Sequence, residues 1–331
     1  MSRFPTIIDR ADGTVTGVNL KRIAEMPFFL LPNSPQNQLV IPAGQSLQQI
    51  PATVSGEGPA QIQELALERE LSTSLGQGVD GNNGRYPVTP GTASPVSATS
   101  IYVATVLLQI QDGQGMRPLM NGAAHVDTIF GNYLPGNKGY PLAEALYMDE
   151  QRQLLFSVTD LANISGVTNN LRPLLTTQRL LSRIFDKDTS KARARMDKRQ
   201  YLSMPYFYVL DNGFSTLAPG GTNVETISIG QDAHFELFQL TAVATGGLGS
   251  FLINIVEQDT GESIFDAPQG VSFPVSSGLV VGSASFPVRL HEPRFFEMRT
   301  KLLVTLTDVS GNANVVYLTL GGRALADKMW S

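Results

Sequence analysis

The sequence predicts an all-β protein in which one antiparallel β-sandwich is built twice along the chain. Three observations favour this fold class: a segment that recurs late in the chain, apolar residues that alternate with period two, and turn residues at short intervals. The recurring segments are LLFSVTDLAN (Leu154–Asn163) and LLVTLTDVSGN (Leu302–Asn312), which align at a constant offset of 148 residues. Four of the eight pairs from Leu154/Leu302 to Leu161/Val309 are identical, and the other four keep their chemical class.

Weaker matches occur in the same order on both sides of this segment. Upstream, Tyr147 aligns with Phe295 at the same offset. Three further segments find matches, namely Leu107–Gly115 with Leu252–Gly261, Thr176–Leu181 with Leu320–Leu325, and Leu39–Val54 with Ile227–Val243. The last match needs an offset near 186, so the first copy is predicted to carry roughly 38 extra residues between its early and late strands.

The repeated segment reads as a strand followed by a turn. Leu302, Val304 and Leu306 alternate with Leu303, Thr305 and Thr307, as in a strand with one buried face. Asp308 ends the run, and its carboxylate is expected to accept hydrogen bonds from the turn, as in an Asx-turn. Asn314–Gly322 then forms a second β-branched strand, and the pair predicts a hairpin.

The remaining strands follow at a regular rhythm. His234–Thr245, Ser250–Gln258 and Ala284–Leu290 are strand-like and are separated by short turn signals. This pattern predicts seven or eight strands per copy, the number that a jelly roll requires. The fold class is therefore a double jelly roll, with two tandem jelly-roll sandwiches.

Three segments depart from this rhythm. Ala60–Ser72 fits an amphipathic helix or a strand, and its place after Val54 favours the strand. Ser74–Ser100 has almost no apolar period and is predicted to be a long exposed loop insertion. Thr176–Arg199 is the best helix candidate and predicts a short helical linker between the copies.

These assignments divide the chain into four parts. We expect an N-terminal arm over residues 1–36, a first jelly roll over 37–182 with its insertion at 74–100, a basic linker over 183–200, and a second jelly roll over 201–331.

Composition narrows the class of protein. Charged residues make up only 16 % of the 331 residues, against roughly 25 % in typical soluble domains. The net charge of −5 argues against a protein that mainly wraps nucleic acid, and the absence of cysteine excludes disulfides and thiol catalysis. No apolar run approaches the ~20 residues that span a bilayer, and the N-terminus lacks the apolar core of a signal peptide.

The only marked charge cluster lies in the basic linker. Its candidate phosphate contacts are Lys191, Arg193, Arg195, Lys198 and Arg199. One interpretation is contact between residues 179–199 and phosphate, in packaged nucleic acid or lipid headgroups. The other is a solvated linker helix that pairs with acidic neighbours.

No catalytic constellation is present in the sequence. His125, His234 and His291 are far apart and match no metal-binding spacing, and a structural role is favoured for each. Nucleophile elbows, phosphate loops and dinucleotide fingerprints are also missing. The sequence therefore predicts a protein that is not an enzyme and that uses no cofactor or metal.

The N-terminal arm contains an apolar patch interrupted by prolines, MPFFLLPNSP (Met26–Pro35), which excludes a long helix. Two alternatives remain for its apolar residues, Phe28, Phe29, Leu30 and Leu31. Either the arm reaches a neighbouring subunit and drives assembly, or it packs onto its own first jelly roll.

The chain resembles the double-jelly-roll structural proteins of viruses and bacteriophages over about residues 37–325. The two strand–TD–turn–strand units, which end at Arg179 and Arg323, carry this resemblance. The strings RPLMNGAAHVDTIFGNYLPG (Arg117–Gly136) and PLAEALYMDEQRQLLFSVTDL (Pro141–Leu161) also look like those of phage virion proteins. In that family two jelly rolls stand side by side, and three chains form a pseudo-hexameric tile of an icosahedral shell.

The resemblance implies a capsid protein that forms homotrimers. Its partners are then further copies of itself and other virion proteins. Such a protein is made in the host cytoplasm and located in the virion. Two alternatives stay open: a minor virion component such as a collar, vertex, decoration or tail protein, and a jelly-roll module that binds carbohydrate or a receptor. The second predicts exposed aromatic residues, with Tyr201–Phe214 the best place for them.

Overall fold

A computed structural model describes most of the chain. The described residues are 24–34, 39–42, 44–54, 60–73, 76–79, 106–113, 117–132, 139–148, 151–161, 167–181, 203–245, 250–265, 274–284 and 286–326. The fold is mostly β, so the predicted all-β class is confirmed. We call residues 24–181 the first half and residues 203–326 the second half.

The first half contains eleven described strands and one short helix. They are β1 (Ala24–Leu30), β2 (Leu39–Pro42), β3 (Ser46–Thr53), β4 (Ala60–Thr73), β5 (Gly76–Val79), β6 (Val106–Asp112), β7 (Ala124–His125), α1 (Val126–Ile129), β8 (Gly131–Asn132), β9 (Tyr140–Met148), β10 (Gln153–Asp160) and β11 (Val167–Leu181).

The second half contains nine described strands and one short helix. They are β12 (Ser203–Val209), β13 (Ser215–Leu217), β14 (Thr222–Ser228), β15 (Ala233–Thr245), β16 (Phe251–Glu257), β17 (Val275–Ser276), α2 (Ser277–Val280), β18 (Val288–Phe296), β19 (Lys301–Asp308) and β20 (Asn314–Ala326).

Each half consists of two sheets around an apolar core, as in a β-sandwich. In the first half, β1, β11, β4 and β9 are neighbours in one sheet, and β3, β10, β6 and β7 form the other. In the second half the two orders are β12-β20-β15-β18 and β14-β19-β16-β17. Alternate residues of each strand enter the core, for example Leu302, Val304 and Leu306 of β19.

The repeat is visible in individual hydrogen bonds. The Gly44 N–H donates to Asp160 Oδ2 at 3.0 Å, and the Gly220 N–H donates to Asp308 Oδ2 at 2.8 Å. Both glycines have positive φ, 64° and 65°, which glycine adopts without strain. The same turn therefore precedes β3 and β14.

This geometry confirms the 148-residue offset for the late strands and corrects the alignment of the early ones. Leu39–Val54 spans β2 and β3, so its counterpart is β13 with β14. The predicted counterpart, Ile227–Val243, was wrong because it runs from β14 into β15. Neighbouring strands share the same alternation of apolar and polar residues, so an alignment that compares only this pattern can shift by one whole strand.

The N-terminal segment belongs to the first half. Strand β1 pairs antiparallel with β11, as β12 pairs with β20. Pro27 lies opposite Gln178 and Pro205 lies opposite Arg323, so MPFF (Met26–Phe29) corresponds to MPYF (Met204–Phe207). The segment therefore opens the first sandwich as β12 opens the second.

Two secondary-structure predictions are corrected and one is confirmed. Ala60–Thr73 is a strand, as the sequence favours. Thr176–Leu181, predicted as helix, is the end of strand β11 because β1 and β4 pair with it on both sides and override its helical propensity. Gly76–Val79, predicted as loop, pairs with the end of β4.

The other predicted features of these regions lie outside the described residues. They are residues 182–202 with the basic linker, residues 74, 75 and 80–100 of the predicted insertion, and residues 1–23. The correspondence between Arg179 and Arg323 is also wrong by one residue, since Arg179 lies opposite Met26 and Arg323 lies opposite Pro205. The two arginines therefore hold different register positions in β11 and β20.

Candidate assembly surface

The first half packs onto the outer face of a sheet of the second half. Along β20, Val316, Leu318 and Leu320 enter the core of the second half. Tyr317 and Thr319, which alternate with them, lie on the opposite face and contact residues of the first half. We call the outer face of β12, β20 and β15 the receiving face.

The edge of β12 is extended by a short segment of the first half. Phe207 bridges Met120 in parallel, and its N–H donates to the Leu119 carbonyl at 2.9 Å. The side-chain amide of Asn121 continues this pairing with the backbone of Val209. Its Nδ2 donates to the Val209 carbonyl at 3.0 Å, and its Oδ1 accepts from the Val209 N–H at 2.8 Å. Edge pairing of this kind fixes both position and register.

Helix α1 contacts the centre of the receiving face. The Thr128 hydroxyl donates to the His125 carbonyl at 2.8 Å and lies 2.7 Å from the Thr319 hydroxyl. The Thr241 hydroxyl donates to the Thr128 carbonyl at 2.7 Å. All three threonines are buried, and each hydroxyl group finds a partner in another threonine hydroxyl or in a backbone carbonyl where water has no access.

His125 has a structural role at this contact. Its Nδ1 accepts a hydrogen bond from the Asp127 N–H at 3.2 Å and thereby caps α1. Its ring lies 4.8 Å from the ring of Tyr317, measured between centroids. His234 similarly accepts a bond from the Met298 N–H at 3.3 Å. Within the described residues, no group of three or more His, Asp or Glu side chains is arranged to hold a metal ion.

Tyr140 fills the space above a glycine of the receiving face. A Cβ atom on Gly321 would lie 1.9 Å from the Tyr140 hydroxyl, so only glycine fits there. Burial raises the pKa of Tyr140 well above its ordinary value, against the smaller opposing effect of the Gln239 side chain. Gln239 Nε2 also donates to the Pro141 carbonyl at 2.8 Å, which links β15 to the start of β9.

A polar cluster lies at one side of the contact. Glu144 accepts a hydrogen bond from the Ser203 hydroxyl, and its Oε2 lies 3.7 Å from Nη1 of Arg323. Arg323 Nε in turn donates to Glu236 Oε2 at 2.5 Å. We call Leu119–Asn121, α1 and Glu144 together the docking surface of the first half.

The docking surface and the receiving face are different surfaces, so the contact between the halves is head-to-tail. Phe207 and Val209 of the second half are buried in the apolar core of the first half. The arrangement therefore holds two sandwiches in one fixed orientation. Its chemistry is that of a protein interface, with an apolar centre and hydrogen bonds at its edges.

The structure separates the residues predicted for the arm. Leu30 is buried in the core of the first half, whereas Leu31 is half-buried. Phe28 and Phe29 lie on β1 opposite Thr177 and Thr176. The predicted phosphate contacts Lys191, Arg193, Arg195, Lys198 and Arg199 lie outside the described residues.

The segment Tyr201–Phe214 supplies core residues of the sandwiches. Phe207, Tyr208 and Val209 are buried, and the Tyr208 hydroxyl accepts a bond from the Gly230 N–H at 2.8 Å. No helix among the described residues has the length and apolar character that a membrane crossing requires.

The residues of the docking surface were not identified from the sequence. Asn121, Thr128 and Glu144 are common residue types in strand or turn patterns, and their partners are 59 to 191 positions away along the chain. One signal was available: the segments Arg117–Gly136 and Pro141–Leu161, which also carry the resemblance to virion proteins, contain all three.

Comparisons with known proteins identify no family. No protein-family model and no curated protein sequence matches the chain. Among solved structures, the crystal structure of the 11S allergen from Cocos nucifera L. aligns at 9 % identity over 92 % of this chain and 91 % of that chain, with a TM-score of 0.15. The crystal structure of the coconut allergen cocosin aligns at 9 % identity over 93 % and 88 %, also with a TM-score of 0.15. Scores this low carry no argument about fold or function.

Proposed function

We propose that the protein is a viral structural protein, a capsid protein of double-jelly-roll type whose trimers form pseudo-hexameric tiles of an icosahedral shell. Its partners are further copies of itself and other virion proteins, and its location is the virion. Contact of residues 179–199 with genome or membrane headgroups belongs to the same proposal.

Strand order supports the jelly-roll part of this proposal. With β2, β5, β8 and β13 set aside and the two-residue strands β7 and β17 kept, each half has eight strands. In both halves one sheet has the order first, eighth, third, sixth, and the other has the order second, seventh, fourth, fifth. Successive strands alternate between the two sheets except for the fourth and fifth, which share one sheet, and eight strands in two sheets is the number of a jelly roll.

The head-to-tail contact between the halves is the observation that carries the assembly part. A contact between two different surfaces can repeat from unit to unit, and it closes into a ring when the rotation per unit fits a whole number of units. A chain with two similar units already contains one such contact. Three chains would supply six units, which is the number in a pseudo-hexameric tile.

The native mass of the purified chain tests this proposal, measured by light scattering behind a sizing column. We expect a stable trimer, near three times the chain mass of 35.7 kDa. A monomer, or a ring with another number of subunits, would contradict the tile and favour a minor virion component instead.

A further inference from the structure

We infer that the second half carries its own copy of the docking surface, and that this copy binds the first half of another molecule of the same chain. The surface consists of Leu279 on α2, Phe265, and Glu292 on β18. Its partner is the sheet formed by β1, β11 and β4. The inference deepens the proposed self-assembly and rests on it.

Helices α1 and α2 are equivalent elements of the two halves. Their N-cap residues have nearly the same conformation, with φ −63° and ψ 131° at His125 and φ −60° and ψ 130° at Ser276. In each helix the backbone N–H of the residue that follows the helix donates to the carbonyl of the first helical residue, at 2.9 Å in both cases. The third residue is Thr128 in α1 and Leu279 in α2.

These two equivalent residues differ sharply in exposure. Thr128 is fully buried against the receiving face, whereas 74 % of Leu279 is exposed. Since Thr128 of α1 makes the contact between the halves, the equivalent Leu279 is the contact position that α2 leaves open to solvent. Phe286, which follows a few residues later, is also 70 % exposed.

The edge segment is repeated as well. The Leu119 N–H donates to the Ile110 carbonyl at 2.9 Å, and the Ile264 N–H donates to the Ile255 carbonyl at 2.9 Å. The next residues, Met120 and Phe265, are therefore equivalent. Met120 is fully buried and bridges Phe207, whereas Phe265 is only partly buried.

The acidic residue at the rim is identical in the two halves. In β9, Leu146 lies opposite Ile62, and in β18, Arg294 lies opposite Leu237, so Leu146 and Arg294 are equivalent. Glu144 and Glu292, each two residues before them, are therefore equivalent as well. Glu144 bonds to Ser203 and Arg323 across the junction. Glu292 is exposed and forms no ion pair with any described residue.

The first half contains the equivalent sheet, in which β1, β11 and β4 hold the positions of β12, β20 and β15. Phe29 lies opposite Thr176 and Phe207 lies opposite Gly321, which gives these two phenylalanines equivalent positions in β1 and β12. Among the described residues, β11 is the only strand that pairs with β1, so the other edge of β1 has no described partner. The equivalent edge of β12 pairs with Leu119–Asn121 of the first half.

A substitution at Leu279 tests the inference by light scattering. Leu279→Glu places a charge at the centre of the inferred contact, and its exposure predicts that the chain still folds. We expect the trimer to dissociate, with its dissociation constant raised on the order of tenfold or more. The control Val309→Glu changes another exposed residue, at 53 % exposure, and should leave the trimer intact.

Engineered cysteines give a second test that does not depend on stability, because the chain has no cysteine of its own. The double variant Phe29→Cys/Phe265→Cys should form covalent dimers and trimers on oxidation, which reduction removes, while neither single variant should form trimers. The variant Met120→Cys/Phe207→Cys, which cross-links within one chain, serves as the positive control.

The outcomes separate this inference from the proposed function. A trimer that persists in Leu279→Glu and does not cross-link between positions 29 and 265 would overturn the inference and leave the capsid proposal standing. A wild-type chain that is monomeric would overturn both.

Discussion

Asp308 shows how much one side chain contributes to a turn. Its Oδ1 accepts bonds from the Ser310 hydroxyl at 2.7 Å and from Asn314 Nδ2 at 2.6 Å. Its Oδ2 accepts from the N–H groups of Gly311 and Gly220, at 3.0 Å and 2.8 Å. The Asx-turn predicted from the sequence is confirmed. The bond to Gly220 was not predictable, because it joins residues 88 positions apart.

These bonds make Asp308 a source of acid sensitivity. The Ser310 hydroxyl, followed by the Gly220 N–H, lowers the pKa of Asp308 to about 2. A carboxylate whose pKa is lower in the folded than in the unfolded state stabilises the fold above its unfolded pKa, near 4. That contribution is lost as the pH falls through the folded value, so the relevant window lies between pH about 4 and about 2.

We therefore expect Asp308→Asn to lower stability at pH 7 and to flatten its dependence on pH inside this window. Urea unfolding at a series of pH values measures both effects. The matched control is Asp259→Asn, at an exposed turn position, which should keep the wild-type dependence. If the unfolding free energy of Asp308→Asn changed with pH as that of the wild type does, the turn would not be a source of acid sensitivity.

At the scale of elements, strand β1 is the main correction to the sequence analysis. Its residues are apolar and interrupted by a proline, which fits an arm as well as an edge strand. Its role follows only from pairing with β11, whose last residues were themselves predicted to be helical. Both errors have one cause: long-range pairing decides the structure of segments whose local preference is weak.

The pairing of β1 changes what truncation should do. From the sequence, deletion of residues 1–36 should leave folded protein with weaker assembly. From the structure, that deletion removes β1, uncovers the edge of β11 and takes Leu30 out of the core. We expect it to cost at least about 2 kcal/mol of unfolding free energy, the value of burying one leucine side chain.

Thermal and urea unfolding of two truncated chains measure this effect. Deletion of residues 1–23 keeps β1 and serves as the reference, against which the deletion of residues 1–36 is compared. Equal stability of the two truncated chains would mean that β1 does not contribute to the fold of the first half.

At the scale of the whole molecule, the junction makes the two sandwiches one body. Tyr140 of the first half lies directly against Gly321 of the second, since the Tyr140 hydroxyl is the nearest atom to an added Cβ at that position. A side chain at this point must push the halves apart or shift the ring. The fit of one glycine to one tyrosine therefore sets how closely the two halves approach.

Gly321→Ala should destabilise the protein by about 1–3 kcal/mol, the usual cost of overpacking. Tyr140→Phe in the same chain removes the nearest clashing atom and should recover part of that loss. A double-mutant cycle in urea measures the coupling between the two positions. Gly278→Ala is the control, because the nearest atom to its added Cβ is 4.0 Å away. Strictly additive effects of the two substitutions would contradict the contact.

The sequence by itself determined the all-β class, the duplication of the late strands and the turn at Asp308. The fold class and the turn depend on residues within about ten positions of one another, where alternation and turn chemistry act directly. The duplication is the same local pattern found again at an offset of 148 residues. The place of β1, the strand at the end of β11 and the contact between the halves were decided only by the tertiary structure. Their partners lie far away along the chain, and a shift of one residue in register would turn Phe207 or Thr319 to the other face of its sheet.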